Sequence, residues 1–206
     1  GCVALAIAAL FAAFATFDYQ LAYVAAHSAR SMALPYRMGF ARVYREFAEL
    51  GLTDDVTFIG SAKLGLPDNA VVAFALGADM VNVAREAMLS IGCIQAQKCH
   101  TDHCPTGVAT QNPWLVRGLD PELKAQRCAI YLRTLRKELT RVSAAVGVPH
   151  PGLITCADVD IFNGDYEARP LAAVYGYQDG WGELGPDHWE ICETVRRLLP
   201  DDAPTP

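Results

Sequence analysis

Apolar positions fall into a helical rhythm from Gly39 onward. Phe40, Val43, Tyr44, Phe47 and Leu50 recur at three- and four-residue spacing while Arg42, Arg45 and Glu46 take the other face. The pattern predicts an amphipathic helix that ends at Gly51, where a residue free to adopt positive φ suits the position after the C-cap. Residues 56–60, reading VTFIG, form a short apolar run behind Asp54 and Asp55 and predict a buried strand. Pro67 and Asp68 open the next helix. Proline suits the first turn because its missing N–H would have no partner there, and the acid suits the positive end of the dipole. The apolar face of this helix runs through residues 70–76 to Gly77, and residues 79–84, DMVNVA, predict a second buried strand.

Helix, strand, helix, strand is the rhythm of a parallel βαβ unit, and its crossover is expected to be right-handed. A third helix is signalled by Asp120 as N-cap, Pro121 in the first turn and Glu122 behind it. It continues through Leu132, Leu135 and Leu139 towards Val146, with a basic exposed face. Beyond His150 and Pro151 the chain is expected to be loop-rich, with residues 174–186 dense in glycine and aromatics, then a short helix around 189–199 and a frayed tail. There is no internal repeat.

Composition narrows this to one substantial core: 206 residues with 52% hydrophobic side chains do not readily make two full domains. A formal charge of -6, with no Lys/Arg-rich block, makes nucleic acid an unexpected partner. Residues 1–17 carry no charge, but a spanning helix needs about 20 apolar residues. No basic segment precedes the run either. Residues 1–31 are set apart as an apolar, Ala-rich segment; within it residues 1–17 are expected to be a buried Ala-rich helix or an irregular chain end, with membrane association through residues 1–17 as the alternative. Residues 32–206 form the remaining unit.

The seven cysteines are unevenly spread: Cys93, Cys99 and Cys104 crowd together, while Cys2, Cys128, Cys156 and Cys192 are scattered and read as structural. That suits a reducing, cytoplasmic setting better than a disulfide framework. Three thiolates on one loop can converge on a metal centre if the loop coils round it, and Pro105 after the last one turns the chain away. Three ligands are one short of a four-iron cube or closed tetrahedral zinc. Either a three-iron cluster or a fourth ligand such as His100 or His103 makes up the difference. Spacing favours a cluster, and zinc stays the alternative. Three unliganded buried cysteines fit poorly on a loop that also carries Lys98, His100, Asp102 and His103.

Residues 80–121, MVNVAREAMLSIGCIQAQKCHTDHCPTGVATQNPWLVRGLDP, closely resemble the short, stand-alone members of the FMN-binding glutamate synthase family. The similarity extends over residues 32–199 through LPYRMGFARVYREF, FIGSAKLGLPDNAVVAFALGADM and DGWGELGP. The resemblance implies an α/β fold, the C-terminal portion of a (β/α)8 TIM barrel. Residues 56–60 would be strand seven and 79–84 strand eight. A whole barrel takes about 250 residues, and the family's glycine-rich segment before strand seven is not seen, so an incomplete barrel is expected.

Barrels of this type commonly hold phosphate between the loops after these two strands. That assigns the FMN phosphate to Gly60, Ser61, Ala62 and Lys63 and to Ala84, Arg85 and Glu86. The family's usual Ser-Gly-Lys reads Ser61-Ala62-Lys63 here, so a methyl group is expected to be costly if Ala62 must take positive φ. The resemblance assigns a 3Fe-4S cluster to Cys93, Cys99 and Cys104.

It further implies that reduced FMN converts 2-iminoglutarate, made from 2-oxoglutarate and ammonia, to L-glutamate. Electrons would come from ferredoxin or an NAD(P)H-dependent reductase and pass between cluster and flavin. Nothing resembles a glutaminase part, so ammonia would come from elsewhere, and no catalytic side chain is singled out. The competing expectation is a non-catalytic iron–sulfur or zinc fragment that carries electrons, tethered to a membrane through residues 1–17.

Overall fold

The computed structural model describes residues 35–162, 167–184, 190–192, 194 and 197. The expectations for residues 1–31 and for the tail lie outside the described residues. Of the late helix expected around 189–199, Glu190, Ile191, Cys192, Thr194 and Arg197 are helical and the remainder lies outside.

Helix α1, Tyr36–Glu49, begins directly after Pro35 and so starts ahead of Gly39, which already donates its N–H to Pro35 O at 3.0 Å. Its buried face is Tyr36, Phe40, Ala41, Tyr44 and Phe47. Gly51 sits at φ +65 and donates to Ala48 O at 3.1 Å, while the Leu52 N–H returns to Phe47 O at 3.0 Å. The last carbonyls of the helix are thereby satisfied, as the glycine predicted.

Strand β1, Ile59–Gly60, helix α2, Pro67–Ala75, and strand β2, Met80–Val81, form the predicted parallel unit, with Ile59 opposite Met80 and Gly60 opposite Val81. The strands are shorter than the apolar runs and less buried than expected, with Ile59 41% and Met80 51% exposed. Ahead of the pair, Asp79 interrupts the ladder: its carboxylate accepts the Phe58 N–H at 2.6 Å, and Phe58 O takes the N–H groups of both Asp79 and Met80. Beyond it, Asn82 N–H to Gly60 O at 2.7 Å extends the contact by one bond.

Phe58 anchors this unit in the core. Its ring lies edge-on to Phe47 (5.5 Å, 88°) and close to Tyr44 (5.0 Å) and Phe40 (6.1 Å). Ala70, Ala73 and Ala75 of α2 have no exposed surface, so small side chains let that helix pack closely against the aromatic layer.

Helix α3, Arg85–Ser90, follows β2, and short 3-10 turns occupy Cys99–Thr101 and Leu115–Gly118. Helix α4, Pro121–Val146, begins and ends where the sequence predicts. Asp120 Oδ1 accepts the N–H groups of Glu122 (3.1 Å) and Leu123 (3.2 Å), and Gly147 closes the helix at φ +98. Leu135, Leu139 and Ser143 face the core.

The region after His150 has more regular structure than its composition suggests. β3, Asp160–Phe162, pairs antiparallel with β4, Ala168–Pro170, which leads into α5, Leu171–Tyr175. This region caps α2. The Cys156 thiol donates to Ala75 O and the Tyr177 hydroxyl to Leu76 O, both at 2.8 Å. Burial pushes the Cys156 thiol up to about 12, which keeps it a donor. Tyr177 stacks on Tyr44 at 5.5 Å, and the Tyr44 hydroxyl accepts the Gly182 N–H at 3.0 Å. Tyr177→Phe is expected to lower stability by about 1 kcal/mol, read as a lower urea midpoint at unchanged slope; an unaltered midpoint refutes the cap.

The architecture is mixed α/β. Among the described residues, no helix is long and apolar enough to cross a membrane.

Candidate site at the strand ends and the cysteine loop

Because β1 and β2 run parallel, the segments leaving their C-terminal ends emerge side by side. Gly60 is buried, Ser61 and Ala62 are half-buried and Lys63 is exposed; on the other segment Ala84 and Arg85 are exposed and Glu86 is half-buried. Two exposed cations, Lys63 and Arg85, therefore follow neighbouring strand ends. Gly60 has no room for a side chain, since a Cβ there would meet the Tyr36 hydroxyl and, at 2.9 Å, Leu64.

The positive φ feared at Ala62 falls instead at Lys63, at φ +55. The methyl group of Ala62 is therefore not strained; it packs against the hydrophobic core. Lys63 is held by its carbonyl, which accepts from Asn69 Nδ2 at 3.5 Å, while Asn69 Oδ1 accepts from Arg37 at 3.2 Å. Arg37, Asn69, Ala62, Leu64 and Tyr175 line an open cleft of about 300 Å³ beside the first segment. Arg37 and Asn69 were missed because each reads as an ordinary helix residue.

Glu86 has a structural role as well. It packs over Gly65, whose carbonyl accepts the Tyr131 hydroxyl at 2.7 Å, and so ties α3 to α4.

Helix α3 delivers the chain to the cysteine loop. Gly92 at φ +106 ends it, with the Cys93 N–H returning to Met88 O at 3.0 Å. The Cys93 sulfur accepts the Gln95 N–H at 3.4 Å. Gln95, Gln97 and Asp102 all adopt positive φ without being glycine. Such a run of left-handed residues coils the loop tightly and persists only where surrounding bonds enforce it.

Cys99 opens the 3-10 turn and is exposed. Cys104 is 7% exposed, and its sulfur lies 3.5 Å from the Thr106 hydroxyl. That contact, with the backbone N–H groups of Ala109 and Thr106, pulls the thiol down to about 7 against the opposing effect of burial. Donors around the sulfur favour the thiolate, which is the form that binds metal.

Asp102 fixes the loop between Cys99 and Cys104. Its carboxylate accepts the Gln111 N–H at 2.6 Å and the Thr110 hydroxyl at 2.8 Å, and its carbonyl accepts the same hydroxyl at 2.6 Å. These bonds, led by the Gln111 N–H, hold the carboxyl below the usual carboxylate range. The partners lie eight and nine residues away, so sequence spacing gave no cue to them. Asp102→Ala is expected to speed amide exchange at Gln111 by about tenfold while amides inside α4 keep their rates; unchanged exchange at Gln111 refutes the pin.

Among the described residues, no three His, Cys, Asp or Glu side chains stand in metal-holding geometry. Cys93, Cys99 and Cys104 share one coiled loop, and their sulfurs are not gathered at one point. The donor set fits a cluster in its chemistry: two of the sulfurs already accept backbone or hydroxyl hydrogen bonds, the arrangement that stabilises thiolate charge. Cys128 is half-buried and Cys156 buried, away from the loop in sequence. The apolar contacts and the carbonyl bond of Cys156 suit the structural role expected of it.

A family model described as the conserved region in glutamate synthase matches residues 24–149. The glutamate synthase large subunit-like protein YerD of Bacillus subtilis is 42% identical over 123 residues, covering 60% of this chain and 23% of that protein. The archaeal glutamate synthase (NADPH) of Methanocaldococcus jannaschii is 35% identical over 115 residues, 56% of this chain and 22% of that one. The glutamate synthase (NADPH) large chain of Bacillus subtilis is 32% identical over 122 residues, 58% of this chain and 8% of its own length. The chain thus spans less than a quarter of the length of these curated relatives. No solved structure matches it significantly.

Proposed function

Because the chain belongs to the glutamate synthase family, we propose that it is the cofactor-bearing part of an oxidoreductase that reduces 2-iminoglutarate, formed from 2-oxoglutarate and ammonia, to L-glutamate. The observation that carries this reading is the adjacency along the chain of a parallel β–α–β unit and a coiled three-cysteine loop, joined only by α3. We read β1 and β2 as strands seven and eight of a (β/α)8 barrel that the chain contributes in part. The parallel register and the loops leaving one end support it.

In this reading Gly60, Ser61, Ala62 and Lys63 with Ala84, Arg85 and Glu86 hold the FMN phosphate, and Cys93, Cys99 and Cys104 hold a 3Fe-4S cluster. Flavin and cluster together let a two-electron reduction proceed through single-electron deliveries. The residues of the chain do the rest. Lys63 and Arg85 place fixed positive charge where a phosphate needs it. Gly60 keeps the first segment close to the core. The N–H donors at Cys93 and Cys104 stabilise negative charge on sulfur, which is one of the protein's means of setting a cluster's potential.

The names of the archaeal relatives carry NADPH, which supports a nicotinamide-dependent source of electrons; ferredoxin is the other candidate. An electron-carrying fragment without flavin is the second reading, favoured by the small share of the relatives' length that the chain spans.

Anaerobic purification separates the two. Yellow protein with flavin absorbance, stoichiometric iron and sulfide, and reductant-dependent glutamate formation from 2-oxoglutarate and ammonia supports the enzyme. Brown protein without flavin supports the fragment, and colourless protein free of iron refutes both.

A further inference from the structure

The first turn of α1 backs the segment that leaves β1 at both of its ends. Tyr36 stands behind Gly60, where its hydroxyl occupies the space a Cβ would need, and its ring packs on Phe40 at 5.4 Å. The next residue, Arg37, reaches the far end of the segment through Asn69 in the first turn of α2. Arg37 Nη2 donates to Asn69 Oδ1 at 3.2 Å, and Asn69 Nδ2 donates to Lys63 O at 3.5 Å. Arg37 and Asn69 also share the cleft wall with Ala62 and Leu64, the residues on either side of Lys63.

Each link in this relay does a different job. Lys63 is left-handed at φ +55 without being glycine, a conformation that crowds its Cβ against the backbone and persists only where neighbouring bonds enforce it. The bond to its carbonyl comes from a side chain anchored in a helix. An amide can present either its oxygen or its nitrogen, and the wrong face would set Oδ1 against Lys63 O, two acceptors in contact. A guanidinium only donates, so Arg37 selects the orientation in which Oδ1 turns to it and Nδ2 to the carbonyl.

We infer that Asn69 is a positioning residue for the phosphate site: with Arg37 as its partner, it sets the turn at Lys63 and so the way the first segment meets the anion. The inference rests on the cofactor reading above and deepens it. Asn69 acts through the backbone of Lys63, and what it controls is the preference for a phosphate monoester over the same ligand without its phosphate. A residue that merely held α2 in place would affect both ligands alike.

The test compares FMN with riboflavin, which lacks the phosphate, by quenching of flavin fluorescence on the intact chain. Asn69→Ala is expected to weaken FMN by about tenfold and riboflavin by less than about twofold. Arg37→Leu is expected to weaken FMN several-fold and to add little in the Arg37→Leu/Asn69→Ala double variant, because the two side chains act through one relay. Circular dichroism confirms that the variants are folded. In the ligand-free chain, the vicinal coupling between the Lys63 N–H and Hα reads φ directly. It is expected to leave its left-handed value in Asn69→Ala, and also in Asn69→Asp, which keeps an acceptor for Arg37 but sets an oxygen against the Lys63 carbonyl.

A ratio of FMN to riboflavin affinity within about twofold of wild type in folded Asn69→Ala overturns the inference. So does a Lys63 coupling that stays unchanged in both Asn69 variants, and additive losses in the double variant remove Arg37 from the relay. A chain that binds neither flavin overturns the cofactor reading instead, and the Lys63 coupling, which needs no ligand, then still decides whether Asn69 sets the turn.

Discussion

Cys99→Ala is expected to bring the iron content of anaerobically purified chain to background and to erase the visible absorbance of the cluster, while Cys128→Ala leaves both at the wild-type level. The two positions separate a ligand from an ordinary cysteine. Cys99 is exposed and opens a short turn whose bonds run between Lys98, Thr101 and His103 rather than through its sulfur. Its removal therefore takes away little packing, and a loss of iron there reports ligation. Cys104 is a less clean probe because it is 7% exposed and its sulfur sits beside Thr106. Truncating it would remove a proposed ligand and disturb the loop together. Retention of stoichiometric iron in folded Cys99→Ala would refute the ligand assignment. A 3Fe-4S centre held by three thiolates has no spare ligand, so an intermediate iron content is not expected. Loading should also tighten the loop, because metal affinity and local order are linked. Amide exchange across residues 93–104 should slow when iron and sulfide are supplied to the wild type.

Legibility in the sequence follows how local each determinant is. The start of helix α4 could be read to the residue because its signal is local, an Asp-Pro-Glu start with a side-chain cap; its end was read only as lying towards Val146, and Gly147 at positive φ closes it there. The parallel unit was legible for the same reason, through Gly51, Pro67 and Gly77. The strand lengths were not, because the side chain of Asp79 replaces ladder bonds at Phe58, and only tertiary structure brings those two together. Composition hid β3 and β4, whose six residues give no alternating pattern and are mostly exposed. Spacing gave Cys93, Cys99 and Cys104 but not the Asp102 and Thr110 pin between them. Ser61-Ala62-Lys63 raised the question of positive φ at Ala62, in place of the family's glycine, and the left-handed residue is its neighbour. It is Lys63, where the carbonyl bond to Asn69 fixes the turn.

Phe58→Ala is expected to destabilise the fold by roughly 3–5 kcal/mol, the range for truncating a buried aromatic that leaves a cavity. The ring is 6% exposed and touches three others, from Phe40, Tyr44 and Phe47, so no neighbour can fill the space without leaving its own contacts. The backbone of Phe58 joins β1 to β2 through its bonds with Asp79 and Met80, and the next bond along is Asn82 to Gly60, at the base of the two segments assigned to phosphate. Loosening the ring therefore frees the strand ends as well as the core. Phe162→Ala is the matched control: the same atoms are removed from a side chain 75% exposed on β3, and the change should stay within about 0.5 kcal/mol. Urea titrations of the two variants against wild type measure the difference, with the slope showing whether the denatured state has changed. Equal midpoints for Phe58→Ala and Phe162→Ala would refute the aromatic layer as the anchor of the strand pair, and with it the argument that the core sets the spacing of the candidate site.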